Sequence, residues 1–350
     1  MQTLLKIFFR TFFDNSIIRT FLTVFSITIS SAAVAVIMML FTLSVRAVDA
    51  PKFVKNYITE EIENLDFESQ FEFGRVQIAL SENFNPKIIV SDVTIYDNVD
   101  SLPFLEISKL ELGASLRQIS TGNFNLSTIL LDGLTIGVSR DITGDYSIKF
   151  GQNSLLTSEV DVFSPASMGL RKFFEREAFL DLENFTVTSM TVQYDDQKES
   201  KLWVIDGARI ELNKQLDDVF VRGDAAFLMG GADISMLQVN YETNLKSGDG
   251  SVGILFEGFP SKEIAAQAPA LSWLNVVEAP ISGAFRTKVG SEMEVDEINA
   301  SLRIGSGVIR ADDKSKPLRF DNANVYFSYN RKINLLNFEE ITINLSLIHI

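Results

Sequence analysis

Apolar side chains recur at every second position through most of the chain beyond residue 70, and this period limits the fold more than any other feature. Phe71 and Phe73 alternate with polar residues, and Gly74 then shifts the phase in the manner of a β-bulge. Successive side chains of a strand point to opposite faces of its sheet. The pattern therefore predicts many strands, each with one apolar and one polar face.

Turn signals separate the alternating stretches. Asp132-Gly133 predicts a hairpin turn, as do Thr143-Gly144-Asp145 and the stretch 246–250. Two stretches, 164–182 and 261–277, lose the period and predict helices, with Ser261 as a possible cap. The chain beyond residue 66 is therefore expected to be antiparallel sheet interrupted by a few short helices.

The N-terminal part predicts a membrane anchor. Thr20 to Val45 contains no charged residue and is longer than the roughly 20 apolar residues that a spanning helix needs. It is also too long for the core of a cleavable signal peptide, so we favour an uncleaved anchor. We expect 1–19 to be a cytoplasmic or interfacial segment and 46–66 an amphipathic linker helix.

Flanking charges do not fix the orientation of this anchor, because Lys6, Arg10 and Arg19 precede it and Arg46, Lys52 and Lys55 follow it. The formal charge of the whole chain is −15, and most acidic residues lie beyond residue 50. An acidic body favours placing the N-terminus inside and the body outside the inner membrane, and it argues against nucleic acid as a partner.

Catalytic and metal-binding motifs are missing. The chain has no cysteine and one histidine, His349, so we expect no enzyme, no cofactor and no metal. One G-x-G-x-x-G match at Gly248, Gly250 and Gly253 opens a predicted strand instead of a helix, which favours a hairpin over a dinucleotide site. Acidic doublets such as Asp195-Asp196 are interpreted as solvated turns, with a weak calcium site or a carboxylate pair as alternatives.

The last six residues, 345–350, resemble the translated end of a sequencing-library transposon. We expect them to be derived from an adapter, and we expect the natural β-rich domain, 67–344 here, to continue beyond residue 344.

Several stretches resemble the AsmA-like superfamily, nearest its YhdP-like and TamB-like members. They are APKFVKNYITEEIENL, FEFGRVQIAL, NPKIIVSDVTIYD, LPFLEISKLELGASLRQISTGNFNLSTILLDGLTIGVSRDITGDYSI and GFPSKEIAAQAPALSWLNVVEAPISGAF. The resemblance covers residues 20 to about 310. It implies an elongated, curled, trough-like antiparallel sheet, anchored in the inner membrane, that carries phospholipid acyl chains across the periplasm without catalysis.

The residues expected to line such an apolar groove are the inward positions of the predicted strands. They are Phe71, Phe73, Ile78, Leu80, Phe124, Leu126, Leu130, Leu134, Ile136, Val138, Leu237, Val239, Val252, Ile254 and Phe256. The same stripes would also form the core of an ordinary β-sandwich. A second hypothesis is an envelope scaffold that binds outer-membrane or periplasmic proteins through its sheet edges; an anchored hydrolase is disfavoured because nucleophile and base motifs are missing.

Overall fold

One sheet contains every strand that the structure describes. The computed structural model describes residues 16–56, 69–97, 103–120, 125–143, 146–150, 166–176, 179–198, 201–228, 234–265, 269–291, 294–310 and 316–346. The strands are β1 (Val48–Asp49), β2 (Ser69–Glu72), β3 (Val76–Leu80), β4 (Pro86–Asp97), β5 (Pro103–Ala114), β6 (Leu126–Arg140), β7 (Tyr146–Phe150), β8 (Asn184–Asp196), β9 (Lys201–Gln215), β10 (Asp218–Leu228), β11 (Ile234–Asn244), β12 (Gly250–Pro260), β13 (Val277–Glu278), β14 (Pro280–Val289), β15 (Val295–Ile304), β16 (Gly307–Ile309), β17 (Leu318–Asn330) and β18 (Leu335–Leu345). The helices are α1 (Ser16–Val45), α2 (Leu116–Ser120), α3 (Ala166–Phe174), α4 (Ser261–Ala265) and the 3₁₀ helix η1 (Pro269–Val276).

Neighbours in the sheet mostly follow chain order. The strands from β8 onward form a long antiparallel meander that ends at β18, which pairs only with β17 among the described strands. One pair, β6 with β8, is parallel. A parallel pair needs a long crossover, and here the connection includes β7 and α3. The sheet is therefore mixed, which corrects the prediction of a purely antiparallel one.

A line of irregular residues crosses five neighbouring strands at one level of the sheet. Asp92 in β4, Gly133 in β6, Ser189 in β8 and Gly207 in β9 have φ of 56°, 76°, 51° and 70°. The registers on either side place Ser108 of β5 between Asp92 and Gly133. Each strand thus carries one extra residue at this level, and the registers of β4, β5 and β6 continue unchanged across it. The register shifts that mark a β-bulge occur where β8 meets β9 and where β9 meets β10.

The bulges move the apolar positions by one residue in each of these strands. Val187 and Met190 of β8 share one apolar cluster, although they are three positions apart, and Ile205 and Ala208 of β9 do the same. A one-residue slip in a single strand would send its apolar side chains to the opposite face. Because all five strands slip at the same level, the sheet keeps one continuous apolar face.

The predicted hairpin turn at Asp132-Gly133 is wrong. Both residues lie inside β6, where Asp132 pairs with Lys109 on one side and with Thr188 on the other. The left-handed backbone that suits Gly133 to a turn serves here to form a bulge.

The other predicted interruptions of the strand pattern do lie between strands in the structure. A turn joins β11 to β12 with Gly248 at φ 78°. Strands β6 and β7 pair antiparallel on either side of the turn predicted at 143–145, of which Gly144 and Asp145 lie outside the described residues. Helices occupy both stretches that lost the period, but Ser261 does not cap α4 as an acceptor. Its hydroxyl donates a hydrogen bond to the Val277 carbonyl. Of the predicted linker helix at 46–66, residues 52–56 are helical and 57–66 lie outside the described residues. Residues 46–51 are not helical, because Val48 and Asp49 form β1 and pair with β3.

Helix α1 contacts β3 of the sheet. Residues 19–45 are long and apolar enough to cross a membrane, and none of this stretch is buried within the fold. Apolar side chains such as Phe21, Ile37 and Phe41 are exposed on all sides of the helix. These properties fit either a signal sequence or a single membrane anchor.

The mainly β fold behind an apolar N-terminal helix is confirmed. The sheet is not strongly curled, so the expectation of a trough-like shape is wrong. The apolar face is instead covered locally by short helices: α3 packs over Leu182, Leu212 and Val219, and the α4–η1 insert packs over Leu302 and Ile304.

Candidate apolar binding site

A row of nine aromatic rings runs across the apolar face from β8 to β18. Neighbouring ring centroids in this row lie 5.3 to 6.5 Å apart, within the usual range for aromatic pairs. In spatial order the rings are Tyr194, Trp203, Phe227, Phe259, Phe256, Phe285, Phe327, Phe338 and Trp273. We call this set the aromatic row.

An open pocket of about 340 Å³ lies over the middle of the aromatic row. Ligand pockets span roughly 300–1,000 Å³, so the space suits part of a small apolar ligand. Its lining residues come from the apolar face and from the α4–η1 insert: Trp203, Phe227, Leu237, Ile254, Phe256, Phe259, Glu263, Ile264, Leu271 and Phe285. We call this space the apolar pocket.

Strand register builds the floor of the apolar pocket. Leu237 of β11 pairs with Phe256 of β12, and Ile254 pairs with Phe285 of β14. Directly paired residues point to the same face of a sheet, so these four side chains form one patch. Phe256 stacks on Phe285 with centroids 5.4 Å apart and is itself buried, whereas Leu237, Ile254 and Phe285 are half-buried.

Gly283 makes room for this patch. A Cβ at Gly283 would lie 2.4 Å from the Ser301 carbonyl oxygen and 3.1 Å from Cζ of Phe256. A larger residue would therefore displace either the ring or the neighbouring strand.

The structure brings some of the predicted groove residues together around the apolar pocket. Leu237, Ile254 and Phe256 line it directly. Val239 pairs with Ile254, and Val252 pairs with Tyr241, so both continue the same face toward the far end of β12.

A second set of predicted residues belongs to the apolar cluster at the N-terminal end of the sheet. Phe73, Leu134 and Ile136 lie in that cluster, together with Ile205 and Ala225. Ala225 pairs with Leu237, so the cluster and the apolar pocket are continuous across β10 and β11. Ile78 pairs with Ile88 of the same cluster, and Val138 pairs with Tyr194 at the start of the aromatic row.

The remaining predicted residues fall elsewhere. Leu130 pairs with Glu111, which is ion-paired with Lys87 on the polar face, because the bulge at Gly133 reverses the alternation. Leu126 packs under α3 and Leu80 lies half-buried at the end of β3, both away from the pocket. Phe124 and the side chain of Phe71 lie outside the described residues.

A buried polar group closes one end of the aromatic row. The Arg140 guanidinium lies 3.3 Å from a carboxylate oxygen of Asp196, and the Tyr194 hydroxyl lies 3.3 Å from the same oxygen. Asp196 is 1% exposed, so the interpretation of this doublet as a solvated turn is wrong at Asp196. A buried carboxylate requires such partners because desolvation disfavours an isolated charge.

Sequence reasoning missed several residues of the site, namely Trp203, Phe227, Phe259, Phe285, Ile264 and Leu271. Trp203, Phe227 and Phe285 stand at inward positions of their strands, a signal that was available. Phe259 could not be assigned by alternation, because the register shifts between Phe256 and Phe259. Ile264 and Leu271 could not be assigned, because only packing shows where a short insert folds back onto a sheet. Among the described residues, no group of three or more His, Cys, Asp or Glu side chains could hold a metal ion.

The chain is therefore a mainly β protein with an N-terminal apolar helix and an aromatic-rich sheet face. No family model, curated protein or solved structure matches the chain.

Proposed function

We propose that the chain is an AsmA-like envelope protein that binds phospholipid acyl chains on its apolar face. In this proposal α1 anchors it in the inner membrane, the sheet lies in the periplasm, and the protein contributes to phospholipid transport between the inner and outer membranes. The observation that carries the proposal is the apolar pocket of about 340 Å³ over the aromatic row.

The energetics of an acyl chain support this choice of ligand. Each methylene group removed from water gains about 0.8 kcal/mol, so even partial shelter gives useful affinity. Phe285, Ile254 and Leu237 are half-buried and can each cover part of a chain without unfolding anything. Because the sheet is not strongly curled, the acyl chain would lie along the aromatic row between the two helical covers instead of inside a trough.

A second candidate function is an envelope scaffold that binds proteins through a sheet edge. Strand β18 supports it, because its outer edge has no partner among the described strands. Apolar side chains along it are also exposed, for example Ile341 at 53% and Leu345 at 50%. Long apolar edges of this kind pair readily with other polypeptides.

Site-specific photo-crosslinking tests the first function against the second. A photo-reactive phenylalanine analogue at Ile254 would lie at the apolar pocket, whereas the same analogue at Leu255 would lie on the opposite face of β12. The analogue would be introduced into the membrane-bound full chain. We expect mass spectrometry to find a phospholipid adduct at position 254 and not at position 255.

Equal lipid labelling at positions 254 and 255 would show that the adducts come from general contact with the membrane. It would contradict lipid binding in the apolar pocket. The scaffold would be favoured by two results together: protein adducts without lipid adducts at position 254, and protein adducts from an analogue at Ile341 of β18.

A further inference from the structure

The opposite, polar face of the same strands carries a second depression of about 690 Å³. Its floor is Gly253 of β12, which pairs with Asn240 on one side and Arg286 on the other. A Cβ placed on Gly253 would meet no atom within 4 Å, so the space above it is open. We call this space the polar depression.

Cationic side chains wall the polar depression on two sides. Arg286 and Lys288 of β14 are exposed and point to the same face, while Arg222 of β10 stands across the floor. Arg222 is held by Asp224, with nitrogen–oxygen distances of 3.2 and 3.3 Å. Among the described residues, neither Arg286 nor Lys288 has a hydrogen-bond or ion-pair partner.

The acidic lining residues do not neutralise these cations. Glu211 is ion-paired with Arg209, which leaves Glu242 as the remaining carboxylate of the lining. Lys288 also borders a neighbouring depression that contains Asp249, Glu294 and Glu297, whereas Arg286 does not. The lining of the polar depression itself holds three cations, Arg222, Arg286 and Lys288, and two carboxylates, in a chain whose formal charge is −15. Two neighbouring cations repel each other unless an anion lies between them.

We propose that the polar depression binds the phosphate or carboxylate group of a small polar ligand. Arginine presents a planar fork of N–H donors that matches both anions, and lysine adds a point charge. Phe220, which is 37% exposed at the rim, offers an apolar surface to the rest of the ligand. The sheet separates this site from the apolar pocket, so the two sites are independent.

Calorimetric titration of the full chain in a neutral detergent tests the proposal, with inorganic phosphate and glycerol 3-phosphate as probes. We expect binding that weakens as salt is added, because the charges are exposed. The double variant R286A/K288A removes two charged hydrogen-bond donors and should weaken binding roughly tenfold or more. The matched double variant K316A/R319A removes two exposed cations elsewhere on the sheet and should bind within about twofold of the original protein.

Gly253→Leu provides a second variant that does not depend on charge. The open space at Gly253 accepts the side chain, so the protein should fold while the polar depression is filled and the probes are excluded. The proposal is overturned if neither soluble probe binds and phosphatidylglycerol vesicles bind no tighter than phosphatidylcholine vesicles, or if R286A/K288A and K316A/R319A behave alike.

Vesicles identify the source of the anion. Tighter binding to vesicles that contain phosphatidylglycerol than to phosphatidylcholine vesicles, with the difference lost in R286A/K288A and kept in K316A/R319A, would assign the ligand to a lipid headgroup. Binding of the soluble probes alone would assign it to a free anion. Ile254→Asp, at the apolar pocket, should leave the binding of inorganic phosphate and glycerol 3-phosphate unchanged while it reduces bound phospholipid. Failure of this proposal is therefore distinguishable from failure of the proposed function.

Discussion

Ile254 and Leu255 are consecutive residues of β12 whose side chains serve opposite faces of the sheet. Ile254 lines the apolar pocket, and Leu255 is 43% exposed beside Tyr326 on the polar face. Because the two residues are adjacent and similar in size, the same substitution at 254 and at 255 compares the apolar face with the polar face.

Ile254→Asp should reduce the phospholipid that co-purifies with the full chain, whereas Leu255→Asp should not. A carboxylate at the apolar pocket removes apolar contact and must stay hydrated. The expected loss is roughly tenfold, the equivalent of about two methylene contacts. Lipid extraction and mass spectrometry give the measurement. A similar loss in both variants would point to general destabilisation, which thermal unfolding of the two variants would reveal.

Alanine substitutions at three glycines distinguish the cost of backbone strain from the cost of steric clash. Gly133 has a φ of 76°, and a Cβ there would lie 2.3 Å from the Ser108 hydroxyl oxygen. Gly207 has a φ of 70° with open space around it. We expect Gly133→Ala to lower the free energy of unfolding by about 2–4 kcal/mol and Gly207→Ala by roughly 1–2 kcal/mol. Urea unfolding of the full chain in detergent measures both.

Gly253→Ala is the matched control for these substitutions, because Gly253 has neither a left-handed backbone nor a nearby atom. It should be neutral or raise the free energy of unfolding by about 0.4–1 kcal/mol, since alanine restricts the unfolded chain. If all three alanine variants had the same effect, the line of bulges would not be a constraint on this sheet.

Asp132 should contribute pH-dependent stability. Hydrogen bonds from Ser189 and then Thr188, whose hydroxyl lies 2.8 Å from the carboxylate, lower the pKa of Asp132 from its usual value of 3.8. A carboxylate with a lowered pKa stabilises the fold above the unfolded pKa, and that stability is lost as pH falls through the folded pKa. Asp132→Asn should therefore be less stable than the original protein at pH 7, and the difference should shrink below about pH 4.

Unfolding curves at several pH values measure this difference, with Asp195→Asn as a comparison at the end of β8. A constant gap between the original protein and Asp132→Asn at all pH values would show that the carboxylate charge is irrelevant.

A charge in the middle of α1 should disturb membrane insertion. Val34→Arg places a charge near the helix centre, where insertion costs about 2.5–3.5 kcal/mol, whereas Val45→Arg lies at the end and can reach the interface. The fraction that resists carbonate extraction should fall for Val34→Arg and stay unchanged for Val45→Arg. Release of a shortened chain by signal peptidase would instead identify α1 as a cleaved signal.

The sequence by itself predicted the fold class and the positions of most breaks. The period of two, the apolar run from Thr20 to Val45 and the glycine turn at Gly248 are local signals, and each reports the structure of its own stretch. Leu237, Ile254 and Phe256 were placed on one face because no bulge interrupts their alternation before the pocket.

Only the tertiary structure decided which residues share a face across the line of bulges. Leu131 and Leu134 of β6 join one cluster while Leu130 turns away, since Gly133 inserts an extra residue into the strand. An Asp-Gly pair satisfies a hairpin and a bulge equally well by its backbone preference. The partners Lys109 and Thr188 on either side select the bulge, and those contacts come from strands far away in the chain. The same holds for the parallel pairing of β6 with β8 and for the insert above the apolar pocket, because long-range packing carries no local period in the sequence.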